Sequence, residues 1–296
     1  MDAVVQHGQA SIEKGSSSFA AAARLFDPAL REDVWQLYAW CRHCDDEIDG
    51  QDHGGQGVSP SPEDQARRLA RLRALTDQAL AGAPLEDPAL QGLQRVALKH
   101  DLDPRWPREL LDGFAMDVAP TAFETQEDTL RYCWGVAGVV GVMMATLMGA
   151  RDPAVWRRAQ DLGLAFQLTN ICRDVREDAL NGRVYLPAVA LSASDDAVFA
   201  VVRQQLALAE AYYDSAREGL RDLPFRGALA VAAARRIYRQ IGRRILQRGP
   251  QALASRSRVS SPMKAWLFVL GTGDALWSRV ERLWPALPRP DLWSRL

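Results

Sequence analysis

Residues 153–178 read PAVWRRAQDLGLAFQLTNICRDVRED, a long segment rich in Ala, Leu, Arg and Gln with the apolar spacing of a helix. Within it Gln167, Asn170, Asp174 and Asp178 follow one another in steps of three, four and four. Residues at these spacings lie on one face of a helix, so they form a polar stripe on an otherwise apolar segment. We therefore expect the stripe to face a polar ligand.

The rest of the chain repeats this helical pattern. Further long segments are Arg31 to Asp49, Glu63 to Ala81, Thr129 to Met148, Ala197 to Arg221 and Arg226 to Gln247. No segment alternates as a strand does, and stretches containing Gly or Pro separate the helices. Because helical bundles build ligand sites from facing helices, the sequence predicts an all-α, single-domain bundle over residues 1–296 with a central cavity. We expect residues 50–62 to form a mobile loop and the tail from about Pro285 to be irregular.

The bulk composition excludes several classes of protein. The 36 basic and 37 acidic residues give a net charge of −1, so no overall field attracts nucleic acid. The first ten residues lack the pattern of a secretory signal, and no uninterrupted apolar run reaches the ~18 residues of a membrane span. These features favour a cytoplasmic protein. The pair Cys41 and Cys44 lacks the second pair of a zinc site, which favours ordinary buried thiols.

A second acidic motif, residues 45–49, ends the segment that begins at Arg31. Its Asp45 and Asp49 are four residues apart, like the aspartates of residues 174–178. Carboxylates at this spacing project from one helix face with Cβ atoms about 5–6 Å apart, and they repel each other. Oxygen ligands of this kind suit Mg²⁺ or Mn²⁺. Since Mg²⁺ is usually shared between carboxylates and phosphates, we expect a phosphorylated ligand, with diphosphate as the leaving group.

One such motif alone is typical of a solvated helix face. Here both motifs follow strongly apolar stretches, residues 35–40 and 162–166, and unpaired buried carboxylates would be costly. Arg42, Arg173 and Arg183 lie beside the motifs and could supply forked hydrogen bonds to phosphate. A di-iron carboxylate bundle is disfavoured, because the Glu-x-x-His pairs of that class are missing.

Two further features each have two interpretations. Gly135, Gly138 and Gly141 recur every third residue, which predicts close helix packing, a tunnel wall for a long apolar tail, or both. Residues 16–18 are three serines before Phe19, and they predict either a helix N-cap or a phosphate contact.

In their order and spacing, these motifs resemble those of the squalene/phytoene synthase family of head-to-head prenyl synthases. The resemblance extends over nearly the whole chain and includes GSSSF at 15–19, LYAWCR at 37–42, residues 45–49, GFAMD at 113–117, residues 132–141, residues 167–178 and RVYLP at 183–187. It implies an isoprenoid-synthase-type helical bundle with a cluster of Mg²⁺ or Mn²⁺ ions and no nicotinamide cofactor.

The resemblance also implies roles for individual residues. The implied metal ligands are Asp45, Asp46, Asp49, Asn170, Asp174 and Asp178. The implied catalytic residues are Asp45, Asp49, Tyr132, Asp174, Asp178 and Tyr185. The implied substrate-binding residues are Ser16, Ser17, Ser18, Phe19, Tyr38, Arg42, Gly138, Gln167, Asn170, Arg173, Arg183 and Tyr238. Arg176 and Glu177 depart from the residues common in close relatives, but the motif aspartates are all present.

The activity implied is the condensation of two geranylgeranyl diphosphates, through a cyclopropyl intermediate, to 15-cis-phytoene and two diphosphates, the first committed step of carotenoid synthesis. A squalene or dehydrosqualene synthase acting on farnesyl diphosphate is the nearest alternative. A noncatalytic helical assembly or binding protein is an alternative of another class, although such relatives lose the motif aspartates.

The substrates and product of that reaction are lipids, which bears on the tryptophan-rich end of the chain. Trp266, Trp277, Trp284 and Trp293 are interspersed with arginines, and tryptophan favours the membrane interface. We expect peripheral contact at the inner face of the cytoplasmic membrane and hand-off of product to a downstream desaturase. Core packing is the other interpretation of these tryptophans.

Overall fold

The computed structural model describes residues 2–50, 60–118, 123–187 and 194–296, without the side chains of Ser17 and Ser18. Its α-helices are α1 Ala3–Gly15, α2 Ser17–Ala23, α3 Pro28–Asp49, α4 Pro62–Leu80, α5 Pro88–His100, α6 Arg105–Val118, α7 Gln126–Cys133, α8 Val139–Leu147, α9 Pro153–Leu180, α10 Asp195–Glu218, α11 Phe225–Arg248 and α12 Ser261–Val280. A π-helical turn, Trp134–Gly138, joins α7 to α8. These ranges contain no strand, so the all-α prediction is confirmed.

Several helices begin with the same local chemistry, a capping side chain followed by proline. Asp27, Ser61, Asp87 and Asp152 each accept a hydrogen bond from a backbone N–H of the first turn, and each precedes a proline. The cap satisfies an otherwise unpaired N–H, and proline has none to lose at the first helical position. These pairs fix where α3, α4, α5 and α9 begin.

Helix α9 lies at the centre of the bundle and contacts α7, α8, α10 and α11. The π-helical turn approaches α9 on one side and α6 on the other, and both contacts depend on glycine. A Cβ added to Gly163 would lie 2.3 Å from the carbonyl oxygen of Ala137, and one added to Gly135 would lie 2.4 Å from Gly113 Cα. Glycine at both positions therefore lets these backbones touch.

The structure separates the two interpretations of the glycine track. Gly141 lines the central cavity, whereas Gly138 does not. A Cβ on Gly138 would lie 2.6 Å from Leu164 Cδ1 and 2.9 Å from the Trp134 ring. The hydrogen atom of Gly138 makes room for the side chains where the π-helical turn packs on α9, which favours the close-packing interpretation at this position. That Gly138 contacts substrate stays a prediction.

Residues 126–147 are long and apolar enough to cross a membrane, with a mean hydropathy of 1.4. However, 67% of its most apolar 18-residue window is buried inside the protein, and the stretch packs against α6 and α9. A core helix of a bundle is buried in this way, so the stretch is only weak evidence for a membrane span.

The loop predicted at residues 50–62 lies mostly outside the described residues. Its two ends are described: Gly50 closes α3 with a left-handed φ of 64°, and Ser61 caps α4. Glycine adopts that backbone conformation at no steric cost.

Residues 285–296 form no helix and pack back against α9 and α10. The guanidinium of Arg289 forms two hydrogen bonds, of 2.9 and 2.7 Å, with Asp161, a fully buried carboxylate on α9. Ser215 of α10 also donates to Asp161, and Arg158 donates to the carbonyl oxygen of Leu287 at 2.6 Å. Buried charges thus hold this segment to the bundle.

Candidate active site

A cavity of about 360 Å³ runs through the middle of the bundle, between α3, α8, α9, α10 and α11. The residues of α9 that line it extend from Val155 and Arg158 to Gln167 and Asn170. At about 1.5 Å per helical residue, the stretch from Arg158 to Asn170 spans roughly 18 Å. The cavity is therefore deep, its lining is almost entirely apolar, and one end lies beside the acidic end of α9.

Both acidic motifs lie at the C-terminal ends of their helices. Asp45, Asp46 and Asp49 occupy the end of α3, and Asp174 and Asp178 occupy the end of α9. Neither helix has a basic residue in its last turn. The C-terminal end of a helix carries partial negative charge, so carboxylates there need a positive partner from elsewhere.

Arginines supply that charge to the first motif. Arg42 lies 2.9 Å from Asp45 and 2.6 Å from Asp46. Arg183, in the segment that follows α9, donates forked hydrogen bonds to Asp49, one of them 3.2 Å long. Since Arg183 comes from beyond the second motif, this ion pair brings the ends of α3 and α9 together.

The second motif is paired in the same way. Arg173 donates to Asp174 at 2.8 Å, and Arg256, which follows α11, donates to the same carboxylate at 3.0 Å. Two guanidiniums thus converge on one carboxylate of the second motif. This is a site where the oxygens of a phosphate group would find donors.

Two of the motif carboxylates are poorly compensated. Burial raises the pKa of Asp45 to about 6, with a further contribution from the negative charge of Asp49. Burial and the neighbouring charge of Asp174 raise the pKa of Asp178 to about 7. Both shifts mean that negative charge at these positions is costly unless a cation neutralises it.

Asp117 lies between the two motifs, at the end of α6. It accepts hydrogen bonds from the hydroxyl groups of Tyr185, at 2.6 Å, and Tyr132, at 3.2 Å. The two tyrosine rings stack with their centroids 4.4 Å apart. Burial raises the pKa of Asp117, and its charge in turn acts on Asp45, Asp49 and Asp178. The sequence predicted both tyrosines as site residues but not this aspartate.

Aromatic rings line the acidic end of the cavity. The cavity is bordered there by Phe19, Tyr38, Phe166 and Tyr238. The ring centroids of Phe166 and Tyr238 are 4.3 Å apart. The ring centroid of Phe19 lies 6.0 Å from that of Tyr238 and 6.5 Å from that of Tyr38. Ring faces are attractive to cations, so this wall suits a positively charged intermediate.

Ser16 caps α2 by accepting a hydrogen bond from the backbone N–H of Phe19 at 3.3 Å. The predicted phosphate contacts of Ser17 and Ser18 lie outside the described side chains.

Comparison with known proteins identifies the family. The model of the squalene/phytoene synthase family matches residues 12–264. The chain belongs to this family. It is 47% identical to a 15-cis-phytoene synthase of Enterobacter agglomerans over 96% of this chain and 99% of that protein. It is 46% identical to a phytoene synthase of Pseudescherichia vulneris, over 99% and 98% of the two chains.

A solved structure gives the same result for the fold. The crystal structure of a dehydrosqualene synthase in complex with ligand superposes with a TM-score of 0.79 at 25% identity, covering 91% of this chain and 95% of that one. The family predicted from the sequence and the isoprenoid-synthase-type bundle are both confirmed.

Enzymes of this family use a divalent metal ion to bind diphosphate. Within the described ranges, no three His, Cys, Asp or Glu side chains form a group that would hold an ion by themselves. The residues nevertheless fit an ion shared with phosphate. Asn170 Oδ1 is buried at the cavity without a hydrogen-bond partner, and the raised pKa values of Asp45 and Asp178 mark uncompensated negative charge. Oxygen atoms of this kind are the ligands that Mg²⁺ and Mn²⁺ prefer.

Sequence reasoning missed two residues of the site, Asp117 and Arg256. Asp117 had a signal, because it ends the GFAMD stretch that resembles the family. Arg256 lies in the irregular stretch between α11 and α12, where no periodic pattern marks a side chain as inward-facing. Its contact with Asp174 depends on how that connection folds back over α9.

Proposed function

We propose that this chain is a 15-cis-phytoene synthase. It condenses two geranylgeranyl diphosphates head to head, through prephytoene diphosphate, to phytoene and two diphosphates. The observation that carries this proposal is one deep apolar cavity that ends where two acidic helix ends and four arginines meet. Such a site suits a molecule with a long apolar tail and a multiply charged head. The names of relatives that are 46–47% identical over almost the whole chain support the specific reaction.

The site has two parts, the charged end that binds diphosphate and the apolar cavity wall. The guanidiniums of Arg42, Arg173, Arg183 and Arg256 are placed to donate to phosphate oxygens. Asp45, Asp46, Asp49, Asp174, Asp178 and Asn170 would hold Mg²⁺ or Mn²⁺ ions. When bound, these ions act as Lewis acids that stabilise the charge on the departing diphosphate.

Departure of the diphosphate leaves an allylic cation, which the cavity wall stabilises and protects. The faces of Phe19, Phe166 and Tyr238 stabilise positive charge, and the apolar lining keeps water from capturing it. Asp117 holds the hydroxyl groups of Tyr132 and Tyr185 in fixed positions beside the acidic motifs. Burial raises the pKa values of both tyrosines, so their hydroxyl groups remain protonated and act as hydrogen-bond donors.

Product analysis tests the reaction directly. Purified protein would be incubated with geranylgeranyl or farnesyl diphosphate, with and without Mg²⁺, and the hydrocarbon identified by mass. We expect phytoene from the geranylgeranyl substrate and none in the presence of a chelator. Product from farnesyl diphosphate alone would assign a squalene-type enzyme, and no hydrocarbon from either would favour a noncatalytic relative.

Asp117→Asn is expected to lower kcat by about 10²-fold, because the amide keeps one acceptor oxygen and presents an NH₂ group to the other tyrosine hydroxyl, which loses its acceptor. KM should change little, since the lost interaction matters in the transition state more than in substrate binding. Steady-state kinetics would check this. The matched control is Asp112→Asn on the same helix, where the carboxylate is exposed and pairs with Arg73. Equal kinetics for the two variants would contradict a role for Asp117.

Chain-length preference is expected to depend on the deep end of the cavity. Ala216 lines the cavity next to Gly219 and Leu220, at the level of Arg158. Ala216→Leu should reduce turnover of geranylgeranyl diphosphate more than turnover of farnesyl diphosphate, by about tenfold in their kcat/KM ratio. Ala209→Leu is the control, because Ala209 is equally buried on α10 but does not border the cavity. An unchanged ratio in Ala216→Leu would place the end of the tail elsewhere.

For location and partners, we propose a cytoplasmic enzyme in peripheral contact with the inner face of the cytoplasmic membrane. The support is chemical, because geranylgeranyl diphosphate is amphiphilic and phytoene is a hydrocarbon that water does not dissolve. Hand-off of phytoene to a desaturase would follow from the same property.

A further inference from the structure

The described part of the chain exposes its large apolar side chains very unevenly. Of the fifteen that are exposed, ten lie between residues 263 and 287. They are Met263, Trp266, Phe268, Val269, Leu276, Trp277, Val280, Leu283, Trp284 and Leu287. An apolar surface concentrated in one segment marks an interaction site rather than ordinary surface composition.

Helix α12 presents most of this surface as a stripe. Trp266, Val269, Leu276, Trp277 and Val280 are between 39% and 57% exposed, and their spacing places them on one side of the helix. The opposite side is already used, because Leu267, Gly271, Ala275 and Ser278 are buried and α12 packs on α11. The helix is therefore apolar on both sides, although only one side has a protein partner within the described residues.

Charge in this region differs from charge in the rest of the chain. From Phe225 to Leu296 there are fourteen basic and three acidic residues, while the whole chain has a net charge of −1. Two of these three acids are neutralised: Asp274 accepts two hydrogen bonds from Arg236, and Glu281 accepts one from Arg217. At least seven of the fourteen bases form ion pairs, and five carboxylates of these pairs come from outside the segment. The exposed stripe thus lies in a part of the molecule that keeps a smaller excess of positive charge.

We infer that α12 and residues 281–287 form a docking surface for an anionic phospholipid bilayer. Exposed tryptophans are favoured at the level of lipid head groups, and basic residues near a bilayer are attracted to anionic lipids. A second copy of the chain is a poorer occupant. A symmetric dimer through α12 would bring two cationic segments together, and like charges oppose such an interface.

An arginine-lined groove beside α12 fits the same occupant. It has a volume of about 150 Å³ and lies between α10, α11 and α12. Its wall holds five arginines and two carboxylates that pair with some of them, namely Arg217, Arg235, Arg236, Arg239, Arg243, Asp214 and Asp274. The side chain of Arg243 is 54% exposed, and its guanidinium is 4.0 Å from the nearest carboxylate, that of Glu210. A phosphate head group in this groove would gain a charged donor in Arg243.

The surface is also close to the deep end of the cavity. Leu220 and Leu223 line that end, and the carbonyl oxygens of both accept hydrogen bonds from Arg279 of α12. Only the connection between α10 and α11 separates the cavity from the C-terminal end of α12. If the proposed function holds, docking by α12 brings the apolar end of the cavity next to the bilayer that dissolves the product.

Vesicle cosedimentation without substrate tests the inference. Vesicles of phosphatidylcholine containing phosphatidylglycerol should bind the protein, and pure phosphatidylcholine should bind it at least about tenfold less. Binding should weaken as salt is raised. The triple variant Trp266→Ser, Trp277→Ser, Trp284→Ser should lose binding by at least about tenfold, because it removes three amphipathic side chains that favour the interface.

The control is the double variant Leu98→Ser, Leu180→Ser. These leucines are 69% and 89% exposed, but they lie on α5 and at the end of α9, away from α12. Their removal should leave vesicle binding within about twofold of the parent, because single exposed apolar residues carry no docking function. Equal loss in both variants would mean that general surface hydrophobicity, and not α12, drives binding.

Three further results would overturn the inference. They are no binding to anionic vesicles, unchanged binding by the tryptophan variant, and a dimer in light scattering that this variant converts to a monomer. Turnover in detergent separates this inference from the proposed function. Loss of vesicle binding with normal phytoene synthesis in detergent supports docking, whereas vesicle binding without synthesis would contradict the reaction alone.

Discussion

Asp174→Asn is expected to reduce kcat by about 10³-fold while the protein remains folded. An amide is a weaker ligand for Mg²⁺ than a carboxylate, and it leaves one less negative charge to hold the ions that stabilise the leaving diphosphate. Asp45→Asn, in the opposite motif, should behave in the same way. Steady-state kinetics with geranylgeranyl diphosphate would measure the loss, and circular dichroism would monitor the fold.

The two variants should differ in stability. The raised pKa of Asp45 marks an unfavourable negative charge, so Asp45→Asn should leave the melting temperature level or raise it. Asp174 pairs with Arg173 and Arg256, so Asp174→Asn should lower the melting temperature slightly while the protein stays folded. A thermal shift caused by Mg²⁺ with inorganic diphosphate should shrink in both variants, which provides a readout independent of turnover. Near-normal turnover with a full thermal shift would remove these aspartates from the proposed metal site.

Asp161→Ala is expected to produce the largest loss of stability, about 3–5 kcal/mol in the free energy of unfolding. Its carboxylate is fully buried and accepts hydrogen bonds from Arg289 and Ser215, so its removal leaves a guanidinium unpaired in a largely buried place. Denaturation with urea would measure the change.

Two comparisons make that prediction specific. Asp112→Ala breaks an exposed ion pair with Arg73 and should cost less than about 1 kcal/mol. Asp161→Ala combined with Arg289→Met should recover part of the loss, because the second change removes the unpaired charge. A loss for Asp161→Ala no greater than that for Asp112→Ala would show that the segment 285–296 contributes little to stability.

The sequence predicted the long helices well, because periodicity and capping act over short distances. The segment predicted at Arg31 to Asp49 is α3, Pro28–Asp49, and the one at Pro153 to Asp178 is α9, Pro153–Leu180. Helices α5 and α12 were not predicted, although Asp87 and Pro88 form a good start signal for α5. The apolar pattern of α5 spans only 13 residues, and α12 is apolar on both sides, so neither shows a long one-sided apolar stripe.

What the sequence could not supply was the partner of each charge. Arg183 and Asp49 are 134 positions apart, and Arg256 is 82 positions from Asp174. No local pattern encodes contacts of that range. Spacing alone also could not distinguish Gly138 from Gly141, because the π-helical turn before α8 and the side chain of Leu164 decide which glycine borders the cavity.

The sequence also could not show which tryptophans are exposed and which are packed against the core. Trp277 and Trp284 are 51% and 57% exposed, whereas Trp293 is half-buried and packs against the core. The prediction of peripheral membrane contact grouped all of them by composition. Only the fold distinguishes the tryptophans that face outward from the one that helps to hold the final segment in place.

At the acidic end of the cavity, arginines and motif aspartates pair with each other. Each thus occupies the place that phosphate or a metal ion would take on its partner. Each guanidinium now occupied by a carboxylate can turn to a phosphate oxygen, and each carboxylate released in this way is free to accept a metal ion. Binding of the head group is then an exchange of ionic partners, in which bonds to phosphate and metal replace ion pairs that already exist. Affinity for the diphosphate should consequently vary less steeply with ionic strength than the number of arginines would suggest, because each bond to phosphate replaces an ion pair that salt weakens as well.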